Sequence, residues 1–223
     1  MSRFNKVSLG AVLTDAYRLL NGSKTALLMA VVTLLIASFV AFFLTSFIAP
    51  GWLSTTPSAL DSLVANLLSV ALTAPLLGGF ALMSLERARG QEIVGGMVFS
   101  GTRFATNFLV YGLFTTALSM LLSLLPFAFN QVIWLLLSAL FSFTAFFIVD
   151  RDASVPEAII ASIRLVTTNL PVVLGWLLLG VGLSVVGVLT FGIGLIWIVP
   201  FVILSSALIY RHATDGIQAD EPA

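Results

Sequence analysis

The sequence predicts an all-α polytopic membrane protein with six transmembrane helices, arranged as three hairpins, each preceded by an amphipathic interfacial helix. Three observations lead there. Of 223 residues, 59% are hydrophobic and 9% charged, where an ordinary soluble domain carries roughly a quarter charged residues. A soluble chain of this length has no core large enough to hide that apolar surface, whereas lipid offers it an apolar solvent. Long uncharged runs recur along the chain, each matching the ~20 residues that a helix needs to cross the bilayer. The basic residues, finally, fall only between runs of one parity.

Taken in order, the runs extend from about Ala26 to Ala49, Leu63 to Leu85, Phe108 to Phe127 and Val132 to Val149. Leu170 to Tyr210 contains no charge and is about two crossings long, so it folds as a hairpin turning at Thr190-Phe191-Gly192. Continuous runs of this kind lack the alternation of barrel strands. Backbone groups in lipid must be satisfied internally, which leaves helices. The first run is longer than a signal-peptide core and lacks a small-residue cleavage pattern. It is expected to stay as both targeting signal and anchor.

Charge placement sets the orientation. Arg3, Lys6, Arg18 and Lys24 precede the first span, and Arg87, Arg89 and Arg103 separate the second from the third. Arg151 and Arg164 separate the fourth from the fifth, and Arg211 follows the sixth. These are all ten basic residues, and the positive-inside rule assigns their side to the cytoplasm. A bacterial cytoplasmic membrane protein with both termini cytoplasmic is the expectation. Trp52, Trp134 and Trp197 fall at the expected outer ends and Tyr210 at an inner one, as an interfacial aromatic belt requires.

A weak threefold repeat accompanies the spans, over about 8–85, 91–150 and 154–211, within one membrane domain covering 1–223. Before the first span, Leu9, Val12, Leu13, Ala16, Leu19 and Leu20 share one helical face opposite Thr14, Asp15 and Arg18. Before the fifth, Ser154-Val155-Pro156-Glu157 has the form of a capping box, and Val155, Ile159, Ile163 and Val166 form a stripe. The middle copy, Gln91 to Ala105, is weakened as a helix by Gly95, Gly96 and Gly101. The copies align on Arg18 with Asn21, Arg103 with Asn107 and Arg164 with Asn169. Such segments are expected to lie in the interface, apolar faces in the acyl boundary and arginines among phosphates. The tail 212–223 is expected to be disordered.

Residue chemistry points away from catalysis. Cysteine is absent, which removes disulfides, thiolate metal sites and thiol nucleophiles. The single histidine, His212, stands beside Arg211 just outside the last span. No His-Glu-x-x-His, paired intramembrane acids, phosphate loop or Ser-His pairing occurs, so no enzyme activity, cofactor or metal is expected. Net charge is zero, which gives nucleic acid nothing to attract.

Three positions in the second span are candidates for a polar pathway. Asp61 is the one acid on the far side, about a turn inside a helix starting at Thr56-Pro57, and Asn66 follows one to two turns deeper. Intramembrane ionisable groups are functional suspects, although an acid near a helix N-terminus is also favoured by the dipole alone. Pro75, with Gly78 and Gly79, should kink the span; kinks mark transporter sites or merely shape packing. Gly180, Ser184 and Gly187 form a small-residue ridge on the fifth span, explained by helix packing.

The last third of the chain carries a pattern: Phe147-Ile-Val-Asp150, then Val155-Pro-Glu157-Ala158 leading to Ser162 and Arg164, then Phe191-Gly-Ile-Gly-Leu-Ile-Trp197-Ile-Val-Pro200, then Ala207-Leu-Ile-Tyr210-Arg211. It resembles the bacterial YciC-like integral membrane proteins, related to the membrane domain of some glycerophosphodiester phosphodiesterases. The matching positions are Asp150, Glu157, Ala158, Ser162, Pro200 and Tyr210. No phosphodiesterase domain accompanies the pattern here, so the resemblance implies a fold rather than that activity. The expectation is a non-enzymatic membrane protein acting through lipid or protein partners, in envelope homeostasis or as a complex subunit or homo-oligomer. A small-solute or lipid transporter is the alternative.

Overall fold

A computed structural model describes residues 4–54, 58–190 and 194–218. Arg3, the Thr56-Pro57 helix start, the Phe191-Gly192 turn and residues 219–223 lie outside them. Every regular element among the described residues is helical: α1 Leu9–Leu20, α2 Lys24–Ile48, α3 Ala59–Ala88, α4 Ala105–Leu122, α5 Phe127–Phe141, α6 Thr144–Arg151, α7 Val155–Thr168, α8 Leu170–Leu189 and α9 Leu195–Gln218, with 3-10 segments at Pro50–Leu53 and Gly95–Phe104. Six stretches are long and apolar enough to cross a membrane, α5 and α6 together forming the fourth. The chain is an all-α, multi-pass membrane protein.

The spans are not equivalent. In the second, fourth and sixth, 39%, 33% and 44% of the most apolar 18-residue stretch is buried, against 17%, 22% and 11% in the first, third and fifth. The even-numbered spans are therefore the inner layer. The core gathers Phe80, Met83 and Leu85 from α3, Phe143 just before α6, Phe147 and Ile148 from α6, and Leu204, Leu208 and Tyr210 from α9. The first and fifth spans, α2 and α8, leave rows of large apolar side chains bare, such as Phe39, Phe47, Leu178 and Val185. Rows of this size need an apolar environment rather than water.

The segments before the odd spans are all helical with one buried face, as expected, but the middle one differs in form. The middle one is a ten-residue 3-10 helix, Gly95–Phe104, longer than the few residues such helices usually run. It packs into α3 around Pro75. A Cβ on Gly79 would run into the carbonyl of Val98, and one on Gly101 into the Pro75 carbonyl and the Gly79 amide. Glycines weaken the segment as an α-helix, and here they also allow backbone to touch backbone. One face of this segment, Val98, Gly101 and Phe104, is buried against protein, while Phe99, Thr102 and Arg103 stay exposed.

α7 is likewise a packing element. Its capping box forms as expected, the Ser154 N–H and O–H both bonding Glu157 Oε2 at 3.1 and 2.6 Å. Its buried face is centred on Ala158, Ser162 and Leu165 with Val155 and Val166, while Ile159 and Ile163 stand at its edge, half-buried. α1 buries Val12, Ala16 and Leu20, packing mainly against α9. The chain before it is pinned by two bonds, Asn5 N–H to the Ala213 carbonyl at 3.0 Å and Val7 N–H to the Asn169 side-chain oxygen at 3.0 Å.

Two expectations about the ends are corrected. The tail from 212 was expected to be disordered, yet α9 continues to Gln218, with Ala213 and Thr214 buried. The Thr214 hydroxyl donates to the Tyr210 carbonyl at 2.9 Å, and α1 covers that turn. Trp197 was expected at the outer boundary, but the Lys24 ammonium stands 5.1 Å from its ring centroid. The start of α9 therefore lies beside the start of α2.

Candidate functional site

The inner spans are joined at their charged ends by a buried knot. Asp150, near the end of α6, has a side chain only 5% exposed, so its charge needs partners. Tyr210 of α9 donates its hydroxyl to Asp150 Oδ2 at 2.8 Å, and Arg89 at the end of α3 pairs with Oδ1. Arg89 also reaches Glu86 at 3.3 Å. Burial works against the Arg89 charge, but the bonds to Asp150 and Glu86 outweigh it and raise its pKa above the ordinary arginine value. Arg211 donates to the Ala88 carbonyl, and Arg87 to the carbonyls of Leu19 at 2.9 Å and Asn21 at 3.1 Å. Arg87 and Arg211 thereby satisfy carbonyls at helix ends.

The fourth span is interrupted. α5 stops at Phe141 and α6 starts at Thr144, and the gap is bridged from α7. The Ser162 hydroxyl donates to the Leu140 carbonyl at 2.7 Å and accepts the Phe143 N–H at 3.2 Å. Ser162 is fully buried.

Above the knot, α3, α4, the α5–α6 break and α9 enclose a cavity of about 350 Å³. Ala74, Leu77, Phe80, Phe108, Phe146 and Ile203 give it apolar walls. Thr73, Thr115, Ser142 and Ser206 add hydroxyls, and Tyr111 a phenol. Those four hydroxyl protons are already used within their own helices, on the carbonyls of Ser69, Gly112, Ala139 and Ile203 at 2.7, 3.0, 2.8 and 2.7 Å. No charged residue lines the space. Leu77 lines it while remaining 45% exposed, so the cavity opens sideways towards lipid. Its size is within the 300–1,000 Å³ typical of ligand pockets.

Comparison with protein-family models, with curated proteins and with solved structures finds no significant match. The site therefore rests on its own geometry.

Asp61, Asn66 and Pro75 do not converge on this cavity. Ser58 caps α3 and Asp61 lies in its first turn: the Asp61 N–H donates to the Ser58 hydroxyl at 3.1 Å, and that hydroxyl donates to Asp61 Oδ2 at 2.6 Å. Asn66 lines a separate notch of about 370 Å³ with Ser38, Thr45, Trp52, Ser62 and Ser69, between α2 and α3. Pro75 lines neither, its carbonyl being packed beneath Gly101.

The repeat arginines differ in surroundings. Arg18 and Arg164 are exposed, while the Arg103 guanidinium lies 4.4 Å from the Phe104 ring centroid. Of the positions in the C-terminal pattern, Asp150 and Tyr210 bond each other, Ser162 bridges the break, Glu157 caps α7, and Ala158 and Pro200 are buried. On the span-five ridge, only Gly187 is tight, against Leu195; a Cβ on Gly180 would meet nothing.

The cavity-lining hydroxyls had no motif to reveal them. Threonine or serine inside an apolar run normally bonds its own helix, and these do so while also facing a space.

Proposed function

We propose that this is a non-enzymatic integral membrane protein that acts through membrane lipid, holding an acyl chain or similar apolar ligand between its inner spans. The observation that carries this reading is the central cavity, which is charge-free and whose four backbone-bonded hydroxyls have no proton left to offer. An ion stripped of water there would meet no compensating charge, which is costly at membrane depth. A hydrocarbon chain would lose nothing by entering. The sideways opening at Leu77 gives it a route from the bilayer.

The setting proposed is a bacterial cytoplasmic membrane with both termini inside, supported by the one-sided distribution of all ten basic residues. The cellular role proposed is in envelope homeostasis or as a membrane-complex subunit, in keeping with the resemblance of Phe147 to Arg211 to YciC-like proteins. A second reading, a small-solute or lipid transporter, draws on the proline within α3 and the break between α5 and α6, since discontinuous spans accompany alternating access.

Native mass spectrometry of protein released from mild detergent tests the lipid reading. The wild type should retain lipid, and Thr73→Trp or, at the exposed rim, Leu77→Trp should shed it while staying folded. Lipid-free wild type, or full retention in both folded variants, would refute the proposal.

A further inference from the structure

A second groove, away from the central cavity, lies where the charged end meets the membrane boundary. It measures about 400 Å³ and is formed by Phe4 of the N-terminal segment, Phe147 and Arg151 of α6, Ala153, and Glu157, Ile160, Ala161 and Arg164 of α7. Its walls are held from several directions. Phe4 packs edge-on against Phe147 with ring centroids 6.2 Å apart, and the adjoining chain is tied down by the Asn5 and Val7 bonds.

The charges around it are uneven. Arg151 and Arg164 are both exposed and form no ion pair with a carboxylate among the described residues. Arg151 stands 5.9 Å from the Phe147 ring centroid, which holds the guanidinium over the groove's apolar floor. The one acid, Glu157, is turned onto Ser154, whose N–H and O–H both bond its Oε2. The groove thus has two guanidiniums without a carboxylate partner among the described residues, above an apolar floor, with its own carboxylate occupied elsewhere. Arg151 closes α6, and Arg164 stands just before α8 begins at Leu170, so both sit at headgroup depth.

We propose that this groove binds a phosphate monoester or diester carried on an anionic lipid headgroup, with Arg151 and Arg164 as its clamp. Guanidinium forks match phosphate oxygens two at a time, and the apolar floor of Phe4, Phe147 and Ile160 receives the start of the acyl chains. The inference rests on the lipid reading above and adds headgroup selection at a different site.

The test uses full-length protein in mixed micelles of phosphatidylglycerol and phosphatidylcholine, with retained lipid identified by native mass spectrometry. The wild type should prefer phosphatidylglycerol. Arg151→Gln and Arg164→Gln should each lower that preference by about ten-fold, as loss of a charge-assisted hydrogen bond implies. Arg18→Gln, an exposed arginine at the same end but outside the groove, should leave it unchanged. Added glycerol 1-phosphate separates the sources: displacement of the lipid assigns the clamp to a soluble phosphate ester, and persistence assigns it to a lipid. No preference in the wild type, or an equal loss in Arg18→Gln, overturns the proposal. Thr73→Trp should empty the central cavity yet keep the headgroup preference, so failure of one reading is distinct from failure of the other.

Discussion

The Ser162 hydroxyl accepts the Phe143 N–H at 3.2 Å, across the only break in the fourth span. It also donates to the Leu140 carbonyl at 2.7 Å, so one side chain on α7 satisfies backbone groups on both sides of the interruption. Ser162→Ala would leave a buried donor and a buried acceptor unpaired, at about 1–3 kcal/mol. Ser84, equally buried, bonds only its own helix at Phe80. Thermal melts in one detergent should show a clear drop for Ser162→Ala and little change for Ser84→Ala; equal effects would remove the bridge's significance.

The knot of Asp150 and Tyr210 makes a sharper test, because coupling can be measured. Tyr210→Phe removes a hydrogen bond to a charged, buried group, worth about 1.5–3 kcal/mol. Asp150→Asn should cost at least as much, since Arg89 loses its ion pair. A double-mutant cycle should show the two effects to be strongly non-additive, by about 0.5–3 kcal/mol. Additive losses would mean that the residues act independently.

Much of the fold was legible in the sequence, since apolar run length and one-sided charge are both set by the bilayer. The layering of inner and outer spans was not, because every span has a similar composition and burial against protein leaves no mark that differs from burial against lipid. The break before Thr144 was hidden for a related reason: Leu140-Phe-Ser-Phe-Thr144 contains neither proline nor glycine, and what sustains it lies about twenty residues on, at Ser162. Gly79 and Gly101 were visible as helix weakeners, but not as partners in one close crossing.

That crossing gives the third prediction. A methyl group on Gly79 would collide with the Val98 backbone, which cannot yield as a flexible side chain would, so Gly79→Ala should cost about 1–3 kcal/mol or block folding. Gly180→Ala, where a Cβ meets nothing, should be neutral or slightly stabilising. Yields and melting temperatures in the same detergent decide it, and equal tolerance at both sites would contradict the packing of Gly95–Phe104 on α3.

Acid should loosen α7 through its cap. The Ser154 hydroxyl and N–H hold the Glu157 carboxyl below the ordinary glutamate range. A depressed folded pKa adds stability above the unfolded value and loses it as pH falls through the folded one. Glu157→Gln should flatten that part of the pH–stability curve below about pH 4.3. An unaltered curve would show that the cap does not titrate with folding.

Asp61→Asn should leave folding nearly unchanged, since an amide oxygen can still accept the Ser58 hydroxyl bond and an exposed helix-dipole charge is worth only about 0.3–1 kcal/mol. A complementation assay checks function. A folded Asp61→Asn protein that failed to complement a deletion would favour the transporter reading instead.

The central claim, a lipid-accepting cavity between the inner spans, is tested most directly by photo-cross-linking with a phospholipid carrying a diazirine in its acyl chain, followed by peptide mapping. The account predicts adducts on Thr73, Tyr111 and Ile203, which line the cavity, lost in the Leu77→Trp variant. Adducts confined to bilayer-facing positions such as Phe47 and Leu178 would contradict it.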